Sequence, residues 1–138
     1  MISQFTPPTA YGFSRFVVRW LKLLSEQRFD EAVRRLDKAG PGGPAWGIEE
    51  IQQALRDFSH DSRLPEVTDP ARLPEPDDCR FDRFEDWRGY WLEYPLPLDG
   101  EWSGLRVRFE FLRRPGGYAM VLAGFIPSGR EGTTSLKP

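Results

Sequence analysis

The hydrophobic period changes once along this chain, from about 3.6 residues to 2, and that change dictates two layers of different secondary structure. In the first half Phe13, Phe16, Val17, Trp20, Leu21 and Leu24 recur at helical spacing, with Arg15, Arg19 and Lys22 off the stripe. In the second half Leu105, Val107, Phe109 and Phe111 alternate with Arg106, Arg108 and Glu110. That alternation is the pattern of a strand with one wet face. Helices followed by strands, rather than interleaved with them, predict an α+β fold.

The spacing predicts two more helices. One starts with Asp30 as N-cap, turns Ala32, Val33 and Leu36 inward, sets Glu31 and Lys38 against the helix dipole and stops at Gly40. The other carries Ile48, Ile51, Leu55 and Phe58 on one face, with Glu49 and Glu50 in its first turn. Gly40-Pro41-Gly42-Gly43-Pro44 between them is a loop. It lacks the Gly-Lys-Ser/Thr ending of a phosphate loop and follows no strand. From Ser59 to Asp78 the chain holds Pro65, Pro70, Pro74 and Pro76, a restrained crossing from one layer to the other.

Four antiparallel strands are expected: Arg80 to Trp87, Arg88 to Tyr94, a third around Leu105–Phe111, and Tyr118 to Ile126. Leu96-Pro97-Leu98-Asp99-Gly100 joins the second to the third, and Pro115-Gly116-Gly117 turns the third into the fourth. The expected architecture is three N-terminal helices packed on a curved four-stranded antiparallel sheet. Residues 1–10 read as an N-terminal arm, 11–126 as a single domain, and 127–138, rich in Gly, Ser and Thr, as a flexible tail.

Composition narrows the function. The 138 residues carry 19 Lys and Arg against 21 Asp and Glu, net −2, with no basic stripe, which argues against a nucleic-acid partner. A single cysteine, Cys79, forbids an internal disulfide. Met1–Thr9 has neither the basic start nor the apolar core of a secretory signal, and Phe13–Leu24 is too charged to span a bilayer. The expectation is a cytoplasmic protein with no membrane role.

Two segments resemble known proteins. Phe29-Asp30-Glu31-Ala32, followed by Trp46 and Ile48-Glu49-Glu50-Ile51, looks like the helical half of many bacterial domains of cystatin-like or nuclear-transport-factor-2-like shape. Trp91-Leu92-Glu93-Tyr94-Pro95-Leu96, followed by Glu101-Trp102-Ser103-Gly104-Leu105, looks like uncharacterised bacterial domains whose pattern carries Asp where Gly104 stands. The resemblance implies a helical layer on a bent sheet. Families of this shape include binding modules, immunity proteins against bacterial toxins and a few enzymes.

Catalytic residues, metal ligands and cofactors are not expected. His60 is the only histidine and lies just past the third helix, where a helix C-terminus favours its cation. Cys79 follows Asp77 and Asp78, neighbours that raise rather than lower a thiol pKa. The carboxylates Asp82, Glu85, Asp86 and Glu93 lie among Arg80, Arg83, Arg88 and Arg106, so cross-strand ion pairs account for them.

The sharpest feature is an aromatic and acidic stretch. Trp87, Tyr90, Trp91, Tyr94 and Trp102 fall within sixteen residues and on both strand parities, so one set faces away from the helices. Trp87, Tyr90, Trp91, Asp99, Glu101 and Trp102 are therefore the expected partner-binding residues. The leading expectation is a non-enzymatic protein-binding domain. Its concrete form is an immunity protein whose Asp99 and Glu101 steer a basic toxin domain; a second copy of the chain is the other candidate partner. The alternative is a small-ligand-binding or isomerase-like domain, its pocket lined by Trp20, Phe58, Tyr90 or Phe109 around a buried carboxylate.

Overall fold

The computed structural model describes residues 1–38 and 45–127. The loop expected at Gly40–Pro44 and the tail beyond Pro127 lie outside the described residues. Those described form strand β1 (Ile2–Ser3), helices α1 (Ala10–Ser25), α2 (Phe29–Arg34) and α3 (Ile48–Phe58), a 3₁₀ turn at Pro70–Arg72, and strands β2 (Arg80–Arg83), β3 (Gly89–Leu98), β4 (Glu101–Arg114) and β5 (Gly117–Pro127). The fold is α+β, and its antiparallel sheet has five strands in the order β1-β5-β4-β3-β2. No described helix is long and apolar enough to cross a membrane.

Helix α1 begins where Thr9 Oγ1 accepts the Gly12 amide at 3.0 Å. Its apolar stripe then lies against the sheet. Phe13 stacks on Phe111 of β4 at 4.3 Å between ring centroids and meets Tyr118 of β5 edge-on at 5.1 Å. Two turns later Trp20 meets Phe109 edge-on at 5.1 Å. Register explains the choice of face: Tyr90, Leu92 and Tyr94 of β3 stand opposite Phe111, Phe109 and Val107 of β4, so all six point to the helical side. Phe13, Trp20, Leu92, Phe109 and Phe111 are fully buried.

Helix α2 differs from the expectation at both ends. It starts at Phe29 rather than after an Asp30 cap; Asp30 sits in the first turn and pairs with Arg34 at 3.4 Å. It stops at Arg34 because Asp37 is taken by the sheet. The Asp37 amide donates to the Met120 carbonyl and its carboxylate accepts the Met120 amide, both at 2.8 Å. A buried strand edge left without partners would cost more than one helical turn contributes. Trp20 Nε1 donates to the Ala32 carbonyl at 2.9 Å and ties α2 to α1. In α3, Ile51 and Leu55 are buried as expected, whereas Ile48 in the first turn is exposed.

The strands are also redistributed. β2 spans four residues, and β3 runs on to Leu98, through the segment expected to be a connection. Pro95 and Pro97 are tolerated because the ladder shifts register between them, and Ser103 Oγ donates to the intervening Leu96 carbonyl at 2.8 Å. The proline-rich crossing lies along this half of β3, which is buried: the Thr68 amide donates to the Pro97 carbonyl and the Asp99 amide to the Glu66 carbonyl, each at 2.8 Å. Asp99 and Gly100, with φ of 52° and 89°, close the β3–β4 hairpin in two residues. The fifth strand is part of the segment read as an arm. Ile2 and Ser3 pair with Tyr118 and Gly117, and Ile2 is buried.

Candidate interaction surface

The β2–β3 connection, residues 84–88, is a tight turn that places Trp87 at a φ of 64°. The Phe84 amide donates to the Gly89 carbonyl at 2.9 Å, and the Trp87 amide to the Phe84 carbonyl at 3.1 Å. Left-handed backbone costs an L-residue about 1–2 kcal/mol. Trp87 recovers little of this by burial, because 60% of it is exposed.

Arginines hold the aromatic rings of this turn. The Arg83 guanidinium lies 3.8 Å from the Trp87 ring centroid and that of Arg88 lies 4.0 Å from the Phe84 centroid. Arg113, at the end of β4, lies 5.4 Å from the Tyr90 centroid. It also donates from Nε to the Trp87 carbonyl at 3.0 Å and from Nη2 to the Tyr90 hydroxyl at 3.2 Å. Such stacks contribute about 0.5–1 kcal/mol each at exposed sites. They fix the guanidinium planes while leaving N–H edges available.

This turn shares its end of the molecule with the start of α1 and the β4–β5 turn, since Phe13 touches Tyr90, Phe111 and Tyr118 together. Phe5 and Tyr11, exposed by 84% and 74%, belong to the segment leading into α1 and to its first turn. Three of the most exposed large apolar residues thus fall at one end.

The six residues singled out from sequence do not form one patch. Trp87 lies at this end and Tyr90 just inside it, half-buried and stacked on Phe81 at 5.5 Å. Asp99, Glu101 and Trp102 lie at the far end of the β3–β4 hairpin, about 33 Å away for ten residues of strand. There the Asp99 carboxylate accepts the Glu66 amide at 3.1 Å and pairs with Arg63 at 3.1 Å. Those two contacts, the amide first, hold its pKa below the usual carboxylate value. Trp102 Nε1 donates to the Pro74 carbonyl at 2.8 Å, and its ring meets Tyr94 edge-on. Glu101 is exposed.

Trp91 is on the third surface, the sheet face turned away from α1, under the Arg108 guanidinium at 4.6 Å. Beside it Glu93, buried, accepts from Arg108 at 3.0 Å and lies 3.6 Å from Arg106, which also pairs with Asp78. This is the buried carboxylate of the pocket reading, but it sits in an ion-pair network on the outer face rather than between helices and sheet. Between those layers, a cavity of about 130 Å³ is lined by Phe16, Trp20, Arg35, Asp37 and Met120 among others. Small-molecule sites run to roughly 300–1,000 Å³.

The remaining candidates take local roles. Asp82 accepts the Arg83 amide at 2.7 Å and Asp86 the Arg88 amide at 3.2 Å. Burial, then the nearby Asp78, pushes the Cys79 thiol up to about 11. His60 is exposed past α3. Among the described residues no three His, Cys, Asp or Glu side chains gather as a metal site would require.

The arginine partners of the aromatic turn are the residues that sequence reasoning passed over. Their signal was the Arg83-Phe84-Glu85-Asp86-Trp87-Arg88 run itself, in which arginine and aromatic residues interleave. Comparison with known proteins yields no matching family model, no similar curated protein and no matching solved structure.

Proposed function

We propose that this chain is a protein-binding domain that works by occupying a partner's surface, the mode of action of an immunity-type inhibitor. The observation that carries the reading is Trp87. A large aromatic residue held at positive φ and 60% exposed costs backbone energy without returning burial, the signature of a position retained for contact. Trp, Tyr and Arg, the residue types gathered around it, dominate binding energy at protein interfaces. The ligand-pocket alternative is less well supported. Trp20 and Phe109, two of its expected lining residues, are fully buried in contact with each other, and the space beside Trp20 is below small-molecule size.

The test is affinity capture from the native host with wild-type protein and Trp87→Ala, together with a thermal-shift screen of small metabolites. A specific protein retained by wild type and lost from Trp87→Ala supports the reading. No retained protein, with a metabolite that raises the melting temperature, contradicts it.

A further inference from the structure

The charges along the long axis are unevenly satisfied. Near the C-terminus of α1 and at the β3–β4 hairpin, Lys22 pairs with Asp69 and Glu26, Arg28 with Glu26 and Glu31, and Arg63 with Asp99 and Asp61. At the Trp87 end, Arg83, Arg113 and Arg114 have no carboxylate within ion-pair distance among the described residues. Arg83 touches a ring face, Arg113 touches ring faces, a carbonyl and a hydroxyl, and Arg114 donates to a carbonyl. Of the acids of this turn, Asp86 accepts the Arg88 amide and lies 3.8 Å from the Arg88 guanidinium, and Asp82 accepts the Arg83 amide. The N-terminus of α1, with its positive dipole end, lies on the same side.

We infer that the Trp87 end is the docking surface for an acidic segment of another polypeptide, with Arg83 and Arg113 donating to its carboxylates and Trp87 covering its apolar side chains. This rests on the protein-binding reading and assigns that reading's surface and partner chemistry. Planar guanidinium groups bind carboxylates through parallel N–H donors, and the geometry costs least when the plane is already fixed. Here the fixing is done by the Trp87 and Tyr90 rings and by two hydrogen bonds on Arg113. The assignment reverses the steering expected from sequence, in which acidic Asp99 and Glu101 attract a basic partner. Asp99 is committed to its own turn, whereas Arg83 and Arg113 at the other end are held by aromatic rings with no carboxylate partner among the described residues.

The experiment uses fluorescence anisotropy with three labelled probes: a short Glu-rich peptide interspersed with Leu, its Lys-for-Glu counterpart, and a short oligothymidylate. Wild type should bind the Glu peptide in preference to both others, with affinity falling as ionic strength rises. Arg83→Gln should weaken binding about tenfold, the loss of one charge-assisted contact. Arg83 makes no hydrogen bond through its side chain, so this variant removes only its stack on the Trp87 ring, and unchanged urea unfolding should accompany the weakened binding. Glu101→Gln, at the opposite end, should bind as wild type does.

Equal affinity of wild type and Arg83→Gln overturns the inference, as does failure of wild type to bind the Glu peptide. Equal or tighter binding of the Lys peptide or the oligonucleotide overturns it too. A dimer in sedimentation that Arg83→Gln dissolves would assign the surface to a second copy instead. A native partner captured equally by wild type and Arg83→Gln would sink this surface and leave the protein-binding reading standing.

Discussion

Replacing Gly117 with Ala should detach the first strand and little else. A Cβ on Gly117 would lie 1.8 Å from the Ile2 carbonyl oxygen and 3.2 Å from the Gln4 nitrogen, both backbone atoms that cannot swing aside. Gly117 is not in the left-handed region, so the substitution acts through this clash alone. The first strand must withdraw, exposing Ile2, which is now 4% accessible, and breaking the Gln4 amide bond to the Gly116 carbonyl at 3.1 Å. Exposing one isoleucine costs about 1.5–3 kcal/mol, and one hydrogen bond about 0.5–1.5 kcal/mol more. The expected loss is therefore about 2–4 kcal/mol, a fall of roughly 1–2 M in the urea midpoint. Truncation of residues 1–4 should cost a similar amount, and Gly117→Ala in the truncated chain about 0.5 kcal/mol or less. If the two losses add in the double variant, Ile2 and Gly117 are not in contact and the five-stranded sheet is wrong.

Three further outcomes follow from the geometry. Cys79, its thiol raised to about 11 by burial and then by Asp78, should resist iodoacetamide in the native protein at pH 8 and react on unfolding. Asp99 has a folded pKa depressed first by the Glu66 amide and then by Arg63, so it stabilises above the unfolded value of about 3.9 and loses that effect as pH falls through the folded one. Asp99→Asn should thus lower stability at neutral pH by about 1 kcal/mol or less, screened as the site is, and the gap to wild type in urea titrations should begin to close below about pH 4 and vanish only below the folded pKa. Glu93→Gln removes a carboxylate that pairs with both Arg108 and Arg106, and should cost about 1–3 kcal/mol in the same assay.

What is legible in the sequence depends on the range of each signal. The stripe of α1 and the alternation of β4 were legible because each repeats over several periods, and both faces proved to be the ones that meet in the core. A two-residue strand has no period, so β1 was read as part of an arm. The end of α2 turned on Asp37 meeting Met120, a contact 83 residues apart that no local cap signal encodes. The expected connection Leu96–Gly100 contains the Asp99-Gly100 hairpin turn but begins too early, because the bulge and the Ser103 hydroxyl let β3 continue through Pro95 and Pro97 to Leu98. At the candidate site Trp87 is exposed, but its neighbours in sequence are not its neighbours in space. The hairpin carries Glu101 and Trp102 to the opposite end, while Arg113 arrives from β4. Arginines near acids were read as ion pairs, although Arg83 lies instead on an aromatic ring.

On the proposed function, Trp87 is kept for contact and not for stability. Trp87→Gly tests this directly, because glycine accepts a φ of 64° without strain and removes the ring. Urea unfolding and partner capture should be measured on the same preparation. Stability equal to wild type within about 1 kcal/mol, or higher, is expected, with capture lost. A fold weakened by more than about 2 kcal/mol with capture unchanged would contradict it.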